Sequence, residues 1–191
     1  MGKITQTLQD TTTYTLEKLY LNVWNKPEIL MVGLKGSGKT TIMNQKMERD
    51  NKIIQDPILG INRLELSKFT IRSYNLGGYC QFQLLLDKFY LSNYIKEAAI
   101  VFVLDCNDED LFEDAKEELK ILLSKRMDYN KPLLIFANKQ DLNGSVTKQG
   151  VIDALELDLY YNLWKVQEIS AIKNIGIDEG FEWLLTQIDK K

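Results

Sequence analysis

Histidine is absent from this 191-residue chain. That removes the commonest general base and the commonest transition-metal ligand. Cysteine occurs twice, as Cys80 and Cys106, too few for a disulfide scaffold or a four-thiolate zinc site. Both are expected to be reduced thiols with no disulfide, as in the cytoplasm. No apolar run approaches the roughly 18 residues of a membrane span. Thr and Gln interrupt the N-terminal segment, so no signal-peptide pattern is expected there. Met1-Gly2 invites N-terminal acylation, but Gln6 stands where that motif wants Ser or Thr. An excess of basic residues is also missing. The net charge is -3 and the pI near 5.2, so a nucleic-acid-binding surface is not expected. What is present is ordinary: 45% hydrophobic and 27% charged residues, the composition of one globular domain with a sizeable core.

The chain carries no internal repeat. Asp10 to Thr15 is a β-branched run that starts a helix poorly. Leu16, Leu19, Tyr20, Val23 and Trp24 then fall on one face of an amphipathic helix, which Pro27 ends. Residues 1–26 therefore read as an N-terminal helical extension and 27–191 as the domain. Within it, apolar runs at Ile29–Val32, Ala98–Leu104 and Leu133–Ala137 suit buried strands, Trp164–Ile169 reads as the last strand, and Leu64–Tyr74 has room for two more. Helical spacing links Phe82 to Tyr90, Leu111 to Leu123, and Ile177 to Ile188. Strands alternating with helices predict an α/β fold: a mostly parallel six-stranded sheet with helices on both faces. A ligand of such a sheet lies beyond the carboxyl ends of the strands.

Gly33-Leu34-Lys35-Gly36-Ser37-Gly38-Lys39-Thr40 fits the phosphate-cradling pattern G-x-x-x-x-G-K-[ST]. Glycines let backbone N–H groups converge on phosphate oxygens, and the following helix N-terminus adds its positive end. Lys39 would reach the β- and γ-phosphates, and the Thr40 hydroxyl would bind Mg²⁺. The expected phosphate contacts are Gly33, Lys35, Gly36, Ser37, Gly38, Lys39, Thr40 and Thr41. Asn138-Lys139-Gln140-Asp141 follows a strand. A carboxylate at Asp141 can accept both the N1–H and the exocyclic amino group of guanine, a donor pair that adenine lacks, and such paired bonds discriminate strongly. Lys139 would lie along the ring, Asn138 would brace the loop, and Ser170-Ala171 would offer a backbone N–H to the guanine oxygen.

With these residues in place, the chain resembles the Ras-like small GTPases, specifically the Arf and Arf-like branch. Ile29 to Leu34 is similar to that family's I-L-M-V-G-L, Gly38 to Thr41 to its G-K-T-T, and Leu104 to Asp108 to its V-D-S-N-D. Ala137 to Leu142 is similar to A-N-K-Q-D-L, and Glu179 to Leu184 to E-G-x-x-W-L. The resemblance runs from about Pro27 to Ile188. It implies the small-GTPase (P-loop NTPase) fold, GTP or GDP as ligand, Mg²⁺ as cofactor, and Ile61, Tyr74 and Phe89 as the apolar surface shown to protein effectors.

The departures fall where the family senses and hydrolyses GTP. Its switch I reads T-I-G-F-N; here the stretch is Ile58-Leu59-Gly60-Ile61-Asn62, and Ile58 has no oxygen to offer Mg²⁺. Its switch II reads W-D-V-G-G-Q; here it is Tyr74-Asn75-Leu76-Gly77-Gly78-Tyr79. Asn75 is uncharged where the family supports the metal with an acid. Tyr79 stands where Gln orients the attacking water, so no catalytic residue is expected. The backbone N–H of Gly78 remains to meet a γ-phosphate. The tract from Asn62 to Asn75 is also shorter than its counterpart, which puts in doubt the register slide by which Arf proteins expel their N-terminal helix.

The expectation is therefore a cytoplasmic Arf-like guanine-nucleotide-binding protein with weakly held Mg²⁺ and slow or absent hydrolysis, a pseudo-GTPase in that sense. It would serve as a nucleotide-stabilised binding module for protein partners or a larger assembly, docking through the switch surface and the N-terminal helix. Membrane contact is not favoured, because the polar face of that helix is poor in Lys and Arg. The alternative is an active switch cycling GTP and GDP with an activating protein in membrane or ciliary trafficking. Asp108-Glu109-Asp110 reads as a helix N-terminus rather than a metal site.

Overall fold

A computed structural model describes residues 26–47, 53–56, 61–74, 97–124, 131–160 and 162–190. The expected N-terminal helix at 16–24, the helix at 82–90 and Cys80 lie outside them. The elements in chain order are β1 (Glu28–Val32), α1 (Lys39–Lys46), β2 (Ile53–Asp56), β3 (Ile61–Glu65), β4 (Thr70–Tyr74) and β5 (Glu97–Asp105). There follow a 3₁₀ turn (Glu109–Leu111), α2 (Phe112–Ser124), β6 (Leu133–Asn138), α3 (Lys148–Leu155), α4 (Leu157–Tyr160), β7 (Trp164–Glu168) and α5 (Ile177–Ile188).

The strands form one sheet in the order β2-β3-β4-β1-β5-β6-β7. β4, β1, β5, β6 and β7 are parallel neighbours, while β3 runs antiparallel to both β2 and β4. The expected class holds: a mostly parallel sheet with helices. The strand number is seven rather than six. The extra strand is β2, whose four residues Ile53-Ile54-Gln55-Asp56 are too few and too mixed to show a period of two. Its strand state comes from edge pairing with β3, in which Ile53 stands opposite Leu64 and Asp56 opposite Ile61.

Alternation along the central strands sorts the core into two layers. Leu30, Val32, Ile100, Phe102, Leu104, Leu133, Ile135 and Ala137 face one side, where they meet Ala115, Leu119 and Leu122 of α2 and Val151 and Leu155 of α3. Ile29, Met31, Val101, Val103, Leu134 and Phe136 face the other, against Ile42 and Met43 of α1 and Ile177, Phe181 and Leu184 of α5. A sheet covered on both faces explains why β1, β5 and β6 read as unbroken apolar runs.

Two sequence expectations need adjustment. The 3₁₀ turn that leads into α2 is not side-chain capped: Asp108 makes no cap hydrogen bond with its carboxylate, and Leu111 N–H bonds its carbonyl at 3.3 Å instead. The acids Glu109, Asp110, Glu113 and Asp114 still favour the turn through its positive end. Helices α3 and α4 are not among the expected helices. Cys106 is a buried packing thiol, as expected, and burial pushes it up to about 12, so it stays protonated and unreactive.

Phe181 ties α5 to the sheet. Its ring stacks on Phe69 at 5.1 Å between centroids and meets Phe136 edge-on at 5.4 Å. Replacing Phe181 with Ala should lower unfolding stability by about 4 kcal/mol, read from urea denaturation. The exposed neighbour change Glu182→Ala should stay within about 0.5 kcal/mol.

Candidate functional site

Parallel strands put the carboxyl ends of β1, β5, β6 and β7 on one rim of the sheet, and the candidate loops all leave from that rim. Gly33 follows β1 with φ 140, and a β-carbon there would sit 2.2 Å from the Val103 carbonyl oxygen. Only glycine lets the loop pass so close to β5. The loop then turns through Gly36 to Gly38, which caps α1 at φ 102.

Lys39 is 4% exposed. Its ammonium donates to the carbonyls of Gly33 at 2.7 Å and Leu34 at 2.8 Å, and to Ser37 Oγ at 3.3 Å. The lysine is thus folded into the curl of its own loop. Burial pulls its pKa down to about 8, against the opposing field of Glu118. Ser37 is buried, Thr41 is half-buried, and Lys35, Gly36 and Thr40 are exposed on the loop and the first turn of α1.

Asn138, at the end of β6, is 2% exposed and crosses to two other loops. Its Nδ2 donates to the Ser37 carbonyl at 2.7 Å, and its Oδ1 accepts from Ala171 N–H at 2.9 Å. A β-carbon on Gly38 would lie 2.2 Å from that Nδ2, so the glycine makes the crossing possible. Lys139 takes the left-handed conformation, φ 69. Gln140 donates its N–H to the Ile169 carbonyl at 3.1 Å, tying this loop to the end of β7.

Ser170 Oγ donates to Asp141 Oδ1 at 2.6 Å and accepts from Lys173 N–H at 3.2 Å. The Ser170 hydroxyl, with smaller help from Lys173 and Lys139, holds the half-buried Asp141 carboxyl below the usual carboxylate range. Asp141 is therefore an anion at neutral pH, with acceptor capacity left for a ligand's paired donors.

The structure brings together Gly33, Gly36, Ser37, Gly38, Lys39, Asn138, Lys139, Asp141, Ser170 and Ala171 on one rim, with Lys35, Thr40 and Thr41 beside them. Ile58, Asn75, Gly78, Tyr79 and Phe89 lie outside the described residues. Ile61 and Tyr74 stand directly opposite each other in the β3–β4 register. For Mg²⁺, the described residues contain no group of three or more His, Cys, Asp or Glu able to hold a metal ion. The ligand expected among them is the Thr40 hydroxyl, exposed on the first turn of α1. Such a set fits an ion bound mainly through nucleotide phosphates and water, since Mg²⁺ keeps several waters and usually adds one or two carboxylates.

Sequence reasoning missed two residues. One is Asp105, which accepts the Lys139 ammonium at 2.5 Å. The other is Glu118 of α2, 4% exposed. Its spacing was readable: it stands three residues after Ala115 and four before Leu122, on the apolar face. Burial pushes Glu118 up to about 7, moderated by Lys39 and reinforced by Asp114.

The sheet order and the loops along its rim define the small-GTPase class of P-loop fold. The model of the ADP-ribosylation factor family matches residues 13–188. ADP-ribosylation factor-like protein 2 of Dictyostelium discoideum is 33% identical over 163 residues, 84% of this chain and 86% of that protein. ADP-ribosylation factor-like protein 1 of Saccharomyces cerevisiae is 33% identical over 166 residues, 85% and 88% of the two chains. ADP-ribosylation factor-like protein 3 of Chlamydomonas reinhardtii is 32% identical over 163 residues, 84% and 89%. This chain belongs to the ADP-ribosylation factor family, and by family it is an Arf-like GTP-binding protein.

The raised Glu118 pKa has a signed consequence. The folded state keeps a proton that the unfolded state releases near the ordinary carboxylate value of 4.5. This contribution to stability is whole below that value and is lost as pH rises through about 7, amounting to at most about 3 kcal/mol. Urea midpoints of the nucleotide-free protein should therefore fall more between pH 4.5 and 7 in the wild type than in Glu118→Gln. Parallel pH profiles would refute the assignment.

Proposed function

We propose that this protein is a nucleotide-stabilised binding module of the Arf family, which holds GTP or GDP and hydrolyses GTP very slowly or not at all. The observation that carries the reading is a contrast. The phosphate loop, the base loop and the tie between them are intact, while the three positions that serve metal and water in the family are Ile58, Asn75 and Tyr79.

In this reading Gly33, Lys35, Gly36, Ser37, Gly38, Lys39, Thr40 and Thr41 surround the phosphates, with the Gly78 N–H at their far end. Lys39 leaves some of its loop carbonyls to meet the β- and γ-oxygens. Asp141 accepts the two guanine donors, Lys139 lies along the ring, and Ala171 N–H faces the guanine oxygen. Mg²⁺, when bound, neutralises phosphate charge; the protein's share in holding it is the Thr40 hydroxyl. Tyr79 supplies no means of orienting water. A ligand present at a thousand times its Kd would stabilise the fold by about 4 kcal/mol, enough to make the nucleotide a structural part. Protein partners dock on the surface carrying Ile61, Tyr74 and Phe89 and on the N-terminal segment 1–26, which precedes the domain at 27–191. The setting is the cytoplasm, where a free buried thiol such as Cys106 is ordinary.

The test is single-turnover hydrolysis on GTP-loaded protein. The rate should fall below the roughly 3–5 × 10⁻⁴ s⁻¹ of an unassisted small GTPase. A rate at or above it, rising further with an activating protein, would establish the switch enzyme instead.

The metal dependence is a separate prediction. Chelating Mg²⁺ should speed GDP release by less than tenfold, a difference under about 1.4 kcal/mol, measured with a fluorescent GDP analogue. A much larger acceleration would show that the metal is firmly held by the protein.

A further inference from the structure

We propose that Asp105 is a positioning residue for the base site: its carboxylate anchors the Lys139 ammonium and so fixes the lysine stem where the guanine ring would lie. The inference rests on the guanine-site reading above and adds to it a residue that recognition motifs do not include.

Asp105 ends β5, and its register partner across the sheet is Asn138, the neighbour of Lys139. The carboxylate is itself fixed. Oδ1 accepts the Asn107 N–H at 3.0 Å, closing a turn two residues long, and Oδ2 accepts Lys139 Nζ at 2.5 Å. The strand end around it is also held, since Cys106 N–H bonds the Asn138 carbonyl at 3.1 Å and Val146 N–H bonds the Cys106 carbonyl at 2.8 Å.

Lys139 is therefore pinned at both ends. Its backbone has φ 69, and its carbonyl accepts Ser145 Oγ at 2.7 Å. Its ammonium is on Asp105. The Asp105 side chain is 13% exposed against 34% for Lys139, so the anion is the sheltered, immobile partner. Exposed ion pairs contribute little because two long side chains must be ordered to form them. Here one partner is short and already locked by the turn, so the cost of ordering falls on the lysine alone. A lysine stem ordered before binding costs a ligand less to engage.

The test is a double-mutant cycle with Asp105→Asn and Lys139→Met. Asn keeps an oxygen for the Asn107 N–H and removes the charge; Met keeps an apolar stem and removes the ammonium. The readouts are the dissociation rate of a fluorescent GDP analogue and the affinity for inorganic tripolyphosphate, which has no base. Each single variant should release GDP about tenfold faster. The double variant should be no faster than Lys139→Met alone, and tripolyphosphate affinity should be unchanged throughout. An unchanged rate in Asp105→Asn, or effects that add in full in the double variant, would overturn the anchor. An equal loss of tripolyphosphate affinity would reduce Asp105 to a general structural role. Wild-type protein that binds tripolyphosphate but not GDP would fail earlier, at the guanine-site reading, and take the anchor with it.

Discussion

The Asn138 amide is the joint on which the rest of the site depends. One buried side chain satisfies the carbonyl of Ser37 and the N–H of Ala171, so three loops that are far apart in sequence share one rigid centre. A buried amide left without partners costs a few kcal/mol, and its partners here are main-chain groups that no other side chain could reach. The joint also dictates its neighbours. Gly38 must lack a β-carbon for Nδ2 to pass, and β6 must end where it does for the amide to sit between the phosphate loop and the loop after β7. The parallel sheet supplies that placement by bringing β1, β6 and β7 to the same rim in register.

Around this joint the buried lysine is satisfied within its own loop. Lys39 cannot reach water and spends its donors on the carbonyls of its own loop. Burial still depresses its pKa, and burial separately raises that of Glu118, whose rise Lys39 opposes. An anion arriving at the loop would relieve the lysine, because a paired buried charge is far cheaper than an unpaired one. Asp141 and Asp105 are the reverse case. Each accepts a hydrogen bond that holds it, Asp141 from Ser170 across 29 residues and Asp105 from Asn107 two residues on.

How much of this could be read from the sequence follows from the range of the forces involved. Strands β1, β5 and β6 are buried on both faces, so local composition alone announced them. The phosphate loop and the Asn138–Asp141 loop were legible because their chemistry needs particular residues at particular spacings. β2 was not, because its four residues become a strand only when β3 lies alongside. Asp105 was quoted as part of a family stretch but given no role, since its partner is 34 residues away and only the register of β5 against β6 makes them meet. Glu118 was hidden differently: a carboxylate on an apolar face looks like the polar flank of the helix until the packing shows the face to be wide.

The same distinction of range explains how a chain can keep a nucleotide pocket while changing the residues around its phosphate end. Asn138, Ser37, Gly38 and Ala171 are coupled through shared atoms, so a change at any one strands a buried polar group or drives a β-carbon into an amide. Their effects are not separable, and substitutions among them are heavily penalised. The roles that the counterparts of Ile58, Asn75 and Tyr79 play in the family are directed at a metal and a water. Loss of those roles leaves every hydrogen bond described at the rim in place. The hydrogen bonds that join the phosphate loop, the loop after β6 and the loop after β7 involve none of those three side chains.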